Sequence, residues 1–390
     1  MSVPRILIVH CRYKQPGGED MVVAAEADLL KLRGHPVWLY ERDNRDVDQL
    51  NRARLACESI WSGRSSRDIS DVLAEFRPDV VHVHNTFPLI SPSLYWAVDR
   101  AAIPLVQTLH NFRLLCPQAM LLRDGHVCED CVGKLPWRAV TRRCYRHSAA
   151  ASGVLAIMLG MHRGLGTFRH KVTRYIALNQ FCLRKFVSGG LPAEKLVVKP
   201  NFIDLPPPRE FPRSGGLYVG RLAPEKGINT LLNGLARLPG TPFTVIGAGP
   251  EAATISARPG VSALGWQSQP MIYEHMQRAA YLVIPSIWYE NFPRTLVEAF
   301  ACGLPVIASR LGALAELVHE GKTGLLFEPG SGQDLSDKIA WATAHQDEMA
   351  HMGMRARAEY EVYYTPGKNY ERLMEIYHDA MASKNRTAAA

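Results

Sequence analysis

The chain has 390 residues, 47% of them hydrophobic and 21% charged, which is the balance of a globular protein long enough for two domains. No apolar run reaches the roughly 18 residues of a spanning helix, and the apolar start at residues 4–10 lacks the length and cleavage site of a signal peptide. A cytoplasmic location is therefore expected. The formal charge of +8 is uneven, with 28 Lys/Arg against 18 Asp/Glu in residues 1–200 and 17 against 19 in residues 201–390.

In chain order, short runs rich in Val, Ile and Leu predict strands at 6–10, 36–40, 80–84 and 105–109, with helices at 21–33 and 66–76 between them. Such runs suit strands buried on both faces of a parallel sheet, and their alternation with helices implies βαβ units. A glycine pair, Gly17-Gly18, follows the first strand. His84 and Asn85 end the third, and His110 and Arg113 follow the fourth, where an acceptor could be met. His82, on the same strand as His84, is expected to pack inside the sheet.

Between Arg123 and Arg174 ten basic residues stand against three acidic ones. Such an excess suits an anionic partner, either lipid headgroups or phosphates, or simply a soluble surface. No nucleic-acid motif accompanies it. The apolar stretch 149–160 reads either as a core helix or as a segment lying on an anionic membrane surface. Cys116, Cys128, Cys131 and Cys144 fall within 29 residues and include one Cys-x-x-Cys pair. Four thiolates can hold a structural Zn²⁺, but buried thiols, disulfides or another metal also fit the spacing.

After a strand at 175–179, prolines 200 and 206–208 mark a linker. The alternation then restarts with strands at 217–219, 243–246, 281–285, 305–307 and 324–326, and a helical stretch at about 360–382 closes the chain. Two doubly wound α/β domains with a cleft between them follow. Their expected bounds are 1–203, with a cysteine-rich insert at about 113–147, and 204–365. The last part, 366–390, is a helix packing back toward the first domain and a tail.

Three loops of the second half carry chemistry. Arg221 and Lys226 sit five residues apart on a strand-to-helix loop and could converge on one diphosphate, the Arg as a planar fork and the Lys as a point charge. Gly247-Ala248-Gly249-Pro250 follows the next strand. Glu290 precedes a helix opened by Pro293, and Glu298 lies about a turn and a half inside it. The free N–H groups of that helix start suit a phosphate.

The order Gly-Arg-Leu-x-x-Glu-Lys-Gly (220–227), Gly-x-Gly-Pro (247–250), Glu-x7-Glu (290–298) and Gly-Leu-Pro-Val-Ile-Ala-Ser (303–309) resembles the GT4 family of retaining glycosyltransferases with the GT-B fold. Thr108-Leu109-His110-Asn111 and 79–84 fit it too, and some bacterial members share the paired cysteines after His-Asn. The resemblance implies that Glu290, Asn291 and Phe292 meet the donor sugar and that Glu298 holds the ribose. Arg221, Lys226, Thr295 and Leu296 would meet the diphosphate, with Trp266 by the base. Gly17-Gly18 would lie near the phosphate or acceptor, and His110 near the sugar. Glu290, His110, Arg221 and Lys226 form the expected catalytic set.

The implied reaction moves a hexose from a UDP- or GDP-sugar to a lipid-linked oligosaccharide or polysaccharide of the cell envelope, without a catalytic metal. A peripheral place on the inner face of the plasma membrane would suit such an acceptor. One departure is Pro293, where the family commonly has glycine. A nucleotide-sugar epimerase or a non-catalytic sugar-nucleotide binder are the alternatives.

Overall fold

The computed structural model describes residues 3–15, 17–209 and 211–389, and for residues 385–389 the backbone alone. The chain divides into two compact units, one drawn from residues 1–121, 129–200 and 369–390 and the other from 122–128 and 201–368.

The first unit holds a six-stranded sheet of β1 (Ile6–Arg12), β2 (Val37–Asp43), β3 (Val80–Asn85) and β4 (Leu105–Thr108). A short antiparallel hairpin, β5 (Leu122–Arg123) and β6 (His126–Val127), comes next in the chain, before β7 (Arg174–Ala177) and β8 (Leu196–Val198) complete the sheet. The sheet order is β2-β1-β3-β4-β7-β8, every pair parallel. Ile6, Leu7, Ile8 and Val9 are all wholly buried, as a strand covered on both faces requires.

The last helix, Pro366–Ala389, supplies part of that cover. Leu373, Met374, Ile376, Tyr377 and Ala380 pack with Ile6, Ile8, Val80, Val106 and Ile176 in one core. Their spacing of three and four residues is one helix face. The single helical stretch expected at 360–382 is two helices, because Gln346–Tyr363 ends before Pro366, which lacks the N–H to continue it and opens the next.

The second unit repeats the plan with β9 (Gly216–Val219), β10 (Phe243–Ile246), β11 (Val261–Gly265), β12 (Tyr281–Ile284), β13 (Val306–Ser309) and β14 (Gly324–Phe327). Its order is β11-β10-β9-β12-β13-β14, again all parallel. Strand order reverses between β9 and β12, so the chain leaves these two neighbours toward opposite faces and opens a crevice at their carboxyl ends. The sequence reading lacked β8 and β11. One has three residues and the other is a half-exposed edge, so neither carries a clear apolar run.

Leu373 is fully buried in the first unit's core, so Leu373→Ala is expected to cost about 2–5 kcal/mol. The check is the urea midpoint of that unit's unfolding, which an independent surface helix would leave unchanged.

Candidate functional site

The crevice at β9 and β12 is built by three loops stitched together through their backbones. Gly220 N–H donates to Ile246 O at 3.0 Å, Leu222 N–H to Ala248 O at 2.9 Å, and Ile287 N–H to Glu225 O at 3.1 Å. Contact this close needs glycine. Gly227 has φ +74° and an added Cβ would lie 1.7 Å from Pro285 O, and at Gly247 the Cβ would lie 1.8 Å from Gly220 O.

This packing brings Lys226, from the loop after β9, onto Glu290, from the loop after β12. Lys226 Nζ donates to Glu290 Oε1 at 2.7 Å, joined by Ser286 Oγ at 2.6 Å and Trp288 Nε1 at 3.0 Å. Burial would raise the Glu290 pKa, but the Lys226 ammonium and these hydrogen bonds outweigh it and hold the carboxyl below its ordinary value. Glu290 is therefore an ionised, oriented acceptor at neutral pH.

Glu298 lies in the helix Arg294–Ala301, also buried. Its Oε1 accepts from Arg294 Nε and from Gln269 Nε2, both at 2.8 Å. The side chains of Ser286, Trp288, Gln269 and Arg294 had no role in the sequence reading. Arg294 was findable, since it stands four residues before Glu298 on one helix face. Gln269 comes from another element and had no local signal.

Other expected members are placed differently. Arg221 is largely exposed and pairs with Glu225, while Lys226 binds Glu290, so the two cations do not converge. Helix formation starts at Arg294, with Pro293 as its cap residue and no side-chain cap bond. Leu296 N–H already donates to Pro293 O at 3.0 Å, and its side chain is fully buried. Thr295 is half-buried on that first turn, and Asn291 is buried beside Glu290 in sequence. Phe292 packs its ring 6.0 Å from Tyr364. Trp266, after the edge strand, is highly exposed.

In the first unit, a small solvent-open concavity lies at the ends of β3 and β4, lined in part by His84, Asn85, His110, Asn111 and Arg113. The expected acceptor residues surround it, yet they have internal partners. Asn85 Nδ2 donates to Cys11 O at 2.9 Å and Asn85 Oδ1 accepts from Phe87 N–H at 3.0 Å. The Arg113 guanidinium stands 4.5 Å from the Phe87 ring centre and 5.3 Å from that of Tyr145. His84 is buried and its Nδ1 lies 2.8 Å from His110 Nε2.

Gly17 opens the helix Gly18–Leu32, its N–H donating to Asp20 Oδ2 at 2.8 Å, while Asp20 Oδ1 lies 2.9 Å from His10 Nε2. Beside it, Glu19 accepts from Tyr13 Oη at 2.9 Å. Burial pushes Glu19 up to about 7.

His82 and His84, two residues apart, share one strand face and both turn toward Glu26, their rings 4.2 Å apart. Glu26, His82 and His84 are the group of metal-capable side chains that converges among the described residues. Lys199 Nζ, however, lies 3.0 Å from Glu26 Oε2, so an ammonium already balances the carboxylate where a cation would. Cys116, Cys128, Cys131 and Cys144 are not among the metal-capable groups that converge in the described residues. Only Cys128 and Cys131 are close in sequence.

An all-parallel sheet with a charged, glycine-lined crevice at its reversal point defines a doubly wound α/β unit. Residues 16–206 match the family described as Glycosyltransferase Family 4, and residues 216–359 match Glycosyl transferases group 1. A D-inositol 3-phosphate glycosyltransferase of Rhodococcus erythropolis is 26% identical over 416 residues, covering 95% of this chain and 88% of that protein. An uncharacterized glycosyltransferase of Methanocaldococcus jannaschii is 35% identical over 130 residues, 32% of this chain and 36% of its own length. The Anabaena protein HepE, solved in complex with UDP-glucose, shares the fold with a TM-score of 0.67 at 19% identity, covering 95% of this chain and 98% of its own. The chain belongs to the glycosyltransferases of the GT4 type, with the GT-B fold.

Two outcomes follow. Gly227→Ala should lower the melting temperature by several degrees, because the side chain meets both a left-handed φ and the Pro285 carbonyl. An unchanged melt would mean that the loops are not packed this closely. Glu19 has a folded pKa of about 7 against an ordinary 4.5, so the protonated form favours folding. Its contribution is present below pH 4.5 and is lost as pH rises to about 7, and Glu19→Gln should flatten stability across that window when unfolding is followed by denaturant titration.

Proposed function

We propose that the chain is a retaining hexosyltransferase that moves a sugar from a UDP- or GDP-sugar to a lipid-linked oligosaccharide or polysaccharide acceptor in cell-envelope glycan synthesis. The observation that carries this reading is the Lys226–Glu290 pair at the reversal point of the second sheet. An ionised carboxylate fixed by three donors can accept hydroxyls of the donor sugar, and the ammonium beside it can face the diphosphate. HepE, bound to UDP-glucose, favours a uridine nucleotide here.

In this reading the bond between anomeric carbon and phosphate oxygen breaks, and the acceptor oxygen bonds the same face of the carbon. The acceptor's proton passes to the leaving phosphate. Negative charge grows on the diphosphate, so fixed cations and N–H groups stabilise the transition state. Lys226, Arg221 and the helix start at Arg294–Thr295 supply them, Arg221 by leaving Glu225. Glu298, oriented by Gln269 and Arg294, holds the ribose. Asn291 and Phe292 offer backbone N–H groups to the sugar, and Trp266 stands by the base. Gly17-Gly18, Asn85 and Arg113 form the acceptor side, with His110 near the sugar and His84 buried behind it. The cysteine segment, whose four thiolates could hold a structural zinc ion, takes no part in this chemistry.

No described helix is long and apolar enough to cross a membrane. A surface contact is supported by the segment 134–170, which exposes Leu135, Trp137 (60%), Ile157 (58%) and Leu165 beside Lys134, Arg143, Arg146 and Arg169. Exposed apolar side chains and exposed cations on one stretch of chain suit an anionic bilayer surface.

Glu290→Gln and Lys226→Ala should each lower kcat/KM more than tenfold, which is over about 1.4 kcal/mol. Glu298→Gln should chiefly weaken donor binding, read by thermal shift with a panel of UDP- and GDP-sugars. Near-wild-type turnover in the first two would sink the reading. Trp137→Ser with Ile157→Ser should release the protein from phosphatidylglycerol vesicles without changing transfer to a soluble acceptor, and unchanged sedimentation would remove the membrane surface.

A further inference from the structure

Beneath His110 the first unit buries a line of polar groups that the transfer chemistry does not use. Lys199 Nζ donates to Glu26 Oε2 at 3.0 Å and to Asn369 Oδ1 at 3.2 Å. Glu26 Oε1 lies 3.1 Å from His82 Nδ1 and 3.7 Å from His84 Nε2, the latter an ion-pair separation rather than a hydrogen bond. His84 Nδ1 lies 2.8 Å from His110 Nε2. Lys199, Glu26, His82 and His84 are all buried, so none of these charges is screened by water.

Protons on this line follow from elementary electrostatics. Burial would raise Glu26, but the Lys199 ammonium and the neighbouring histidines hold it well below the ordinary carboxylate range, so it is ionised. Burial pushes His84 well down and His110 to about 3, so both rings are neutral and carry one proton each. A ring nitrogen facing a carboxylate oxygen carries the proton, since two lone pairs repel. His84 is then Nε2–H, and its Nδ1 can only accept. The partner nitrogen, His110 Nε2, must donate. The single proton of His110 is thereby placed, and its Nδ1 is left as a lone pair.

The surrounding groups agree with this assignment. His82 Nδ1 lies 3.1 Å from the same Glu26 oxygen and 2.8 Å from Tyr377 Oη, while its Nε2 meets Thr108 Oγ1 at 2.8 Å. His10, whose ring stands edge-on 6.4 Å from His84, is bonded to Asp20. The ion pair thus has one direct route to His110, through His84.

We propose that the buried Lys199–Glu26 pair is a positioning device that locks the tautomers of His84 and His110, so that His110 offers Nδ1 as a hydrogen-bond acceptor to a ligand hydroxyl in the concavity it lines. The role for the reaction rests on the reading of His110 as a sugar-side group, while the tautomer assignment does not. Such a lock makes the site select a hydroxyl donor and reject a ligand that offers only an acceptor at that point.

The test is nitrogen-15 NMR of the full-length protein labelled at histidine, with signals assigned by comparison with His84→Gln and His110→Gln. The unmodified protein should show both rings as Nε2–H near neutral pH. Glu26→Gln places an amide N–H against His84 Nε2, so both rings should switch to Nδ1–H. Donor-sugar turnover should then fall at least tenfold in kcat, with a smaller change in KM. An Nδ1–H His110 or a charged His84 in the unmodified protein overturns the proposal, and this measurement needs no variant. Unswitched tautomers in folded Glu26→Gln protein overturn it as well. Switched tautomers with no transferase activity in the unmodified protein would instead support the lock and remove the proposed function.

Discussion

A parallel sheet whose strand order reverses at its middle has one place where neighbouring strands send their chains to opposite faces. In the second unit that place lies between β9 and β12, and the rest of the candidate site depends on it. The two loops leaving these strands carry Lys226 and Glu290, 64 residues apart in sequence and 2.7 Å apart in space. Gly227 and Gly247 let the loops touch where a Cβ would collide with a carbonyl. Closure of the loops and pairing of the charges are thus one event.

Burial of charge is the second theme. Glu26, Glu290 and Glu298 each lie out of water, and each is met by a cationic donor: Lys199, Lys226 and Arg294. An unpaired carboxylate in such places would protonate or unfold the site. The pairings keep charge and orientation together. Removing one partner is then costlier than the small worth of an exposed ion pair, such as that of Arg221 with Glu225.

Much of the fold was legible because its signals are local. Apolar runs marked β9, β10 and β12 within a residue or two, and Pro293 marked the start of the helix that carries Glu298. The short β8 and the half-exposed β11 left no run to read. At the site, the glutamates and Lys226 stood in recognisable loops, whereas Gln269 and Ser286 had no pattern to announce them. The cysteine spacing suggested a metal, and those thiols are not among the metal-capable groups that converge in the described residues. His84 was expected to face an acceptor and is a buried link below His110.

The sequence alone determined two α/β units and the family, because strand burial, turn chemistry and motif order are written in neighbouring residues. Tertiary structure alone decided the partnerships. It set Lys226 on Glu290 rather than beside Arg221, Arg294 and Gln269 on Glu298, and Lys199 on Glu26 behind two histidines. Those pairings depend on which strands become neighbours, and hydrogen bonds act over about 3 Å whatever the distance along the chain.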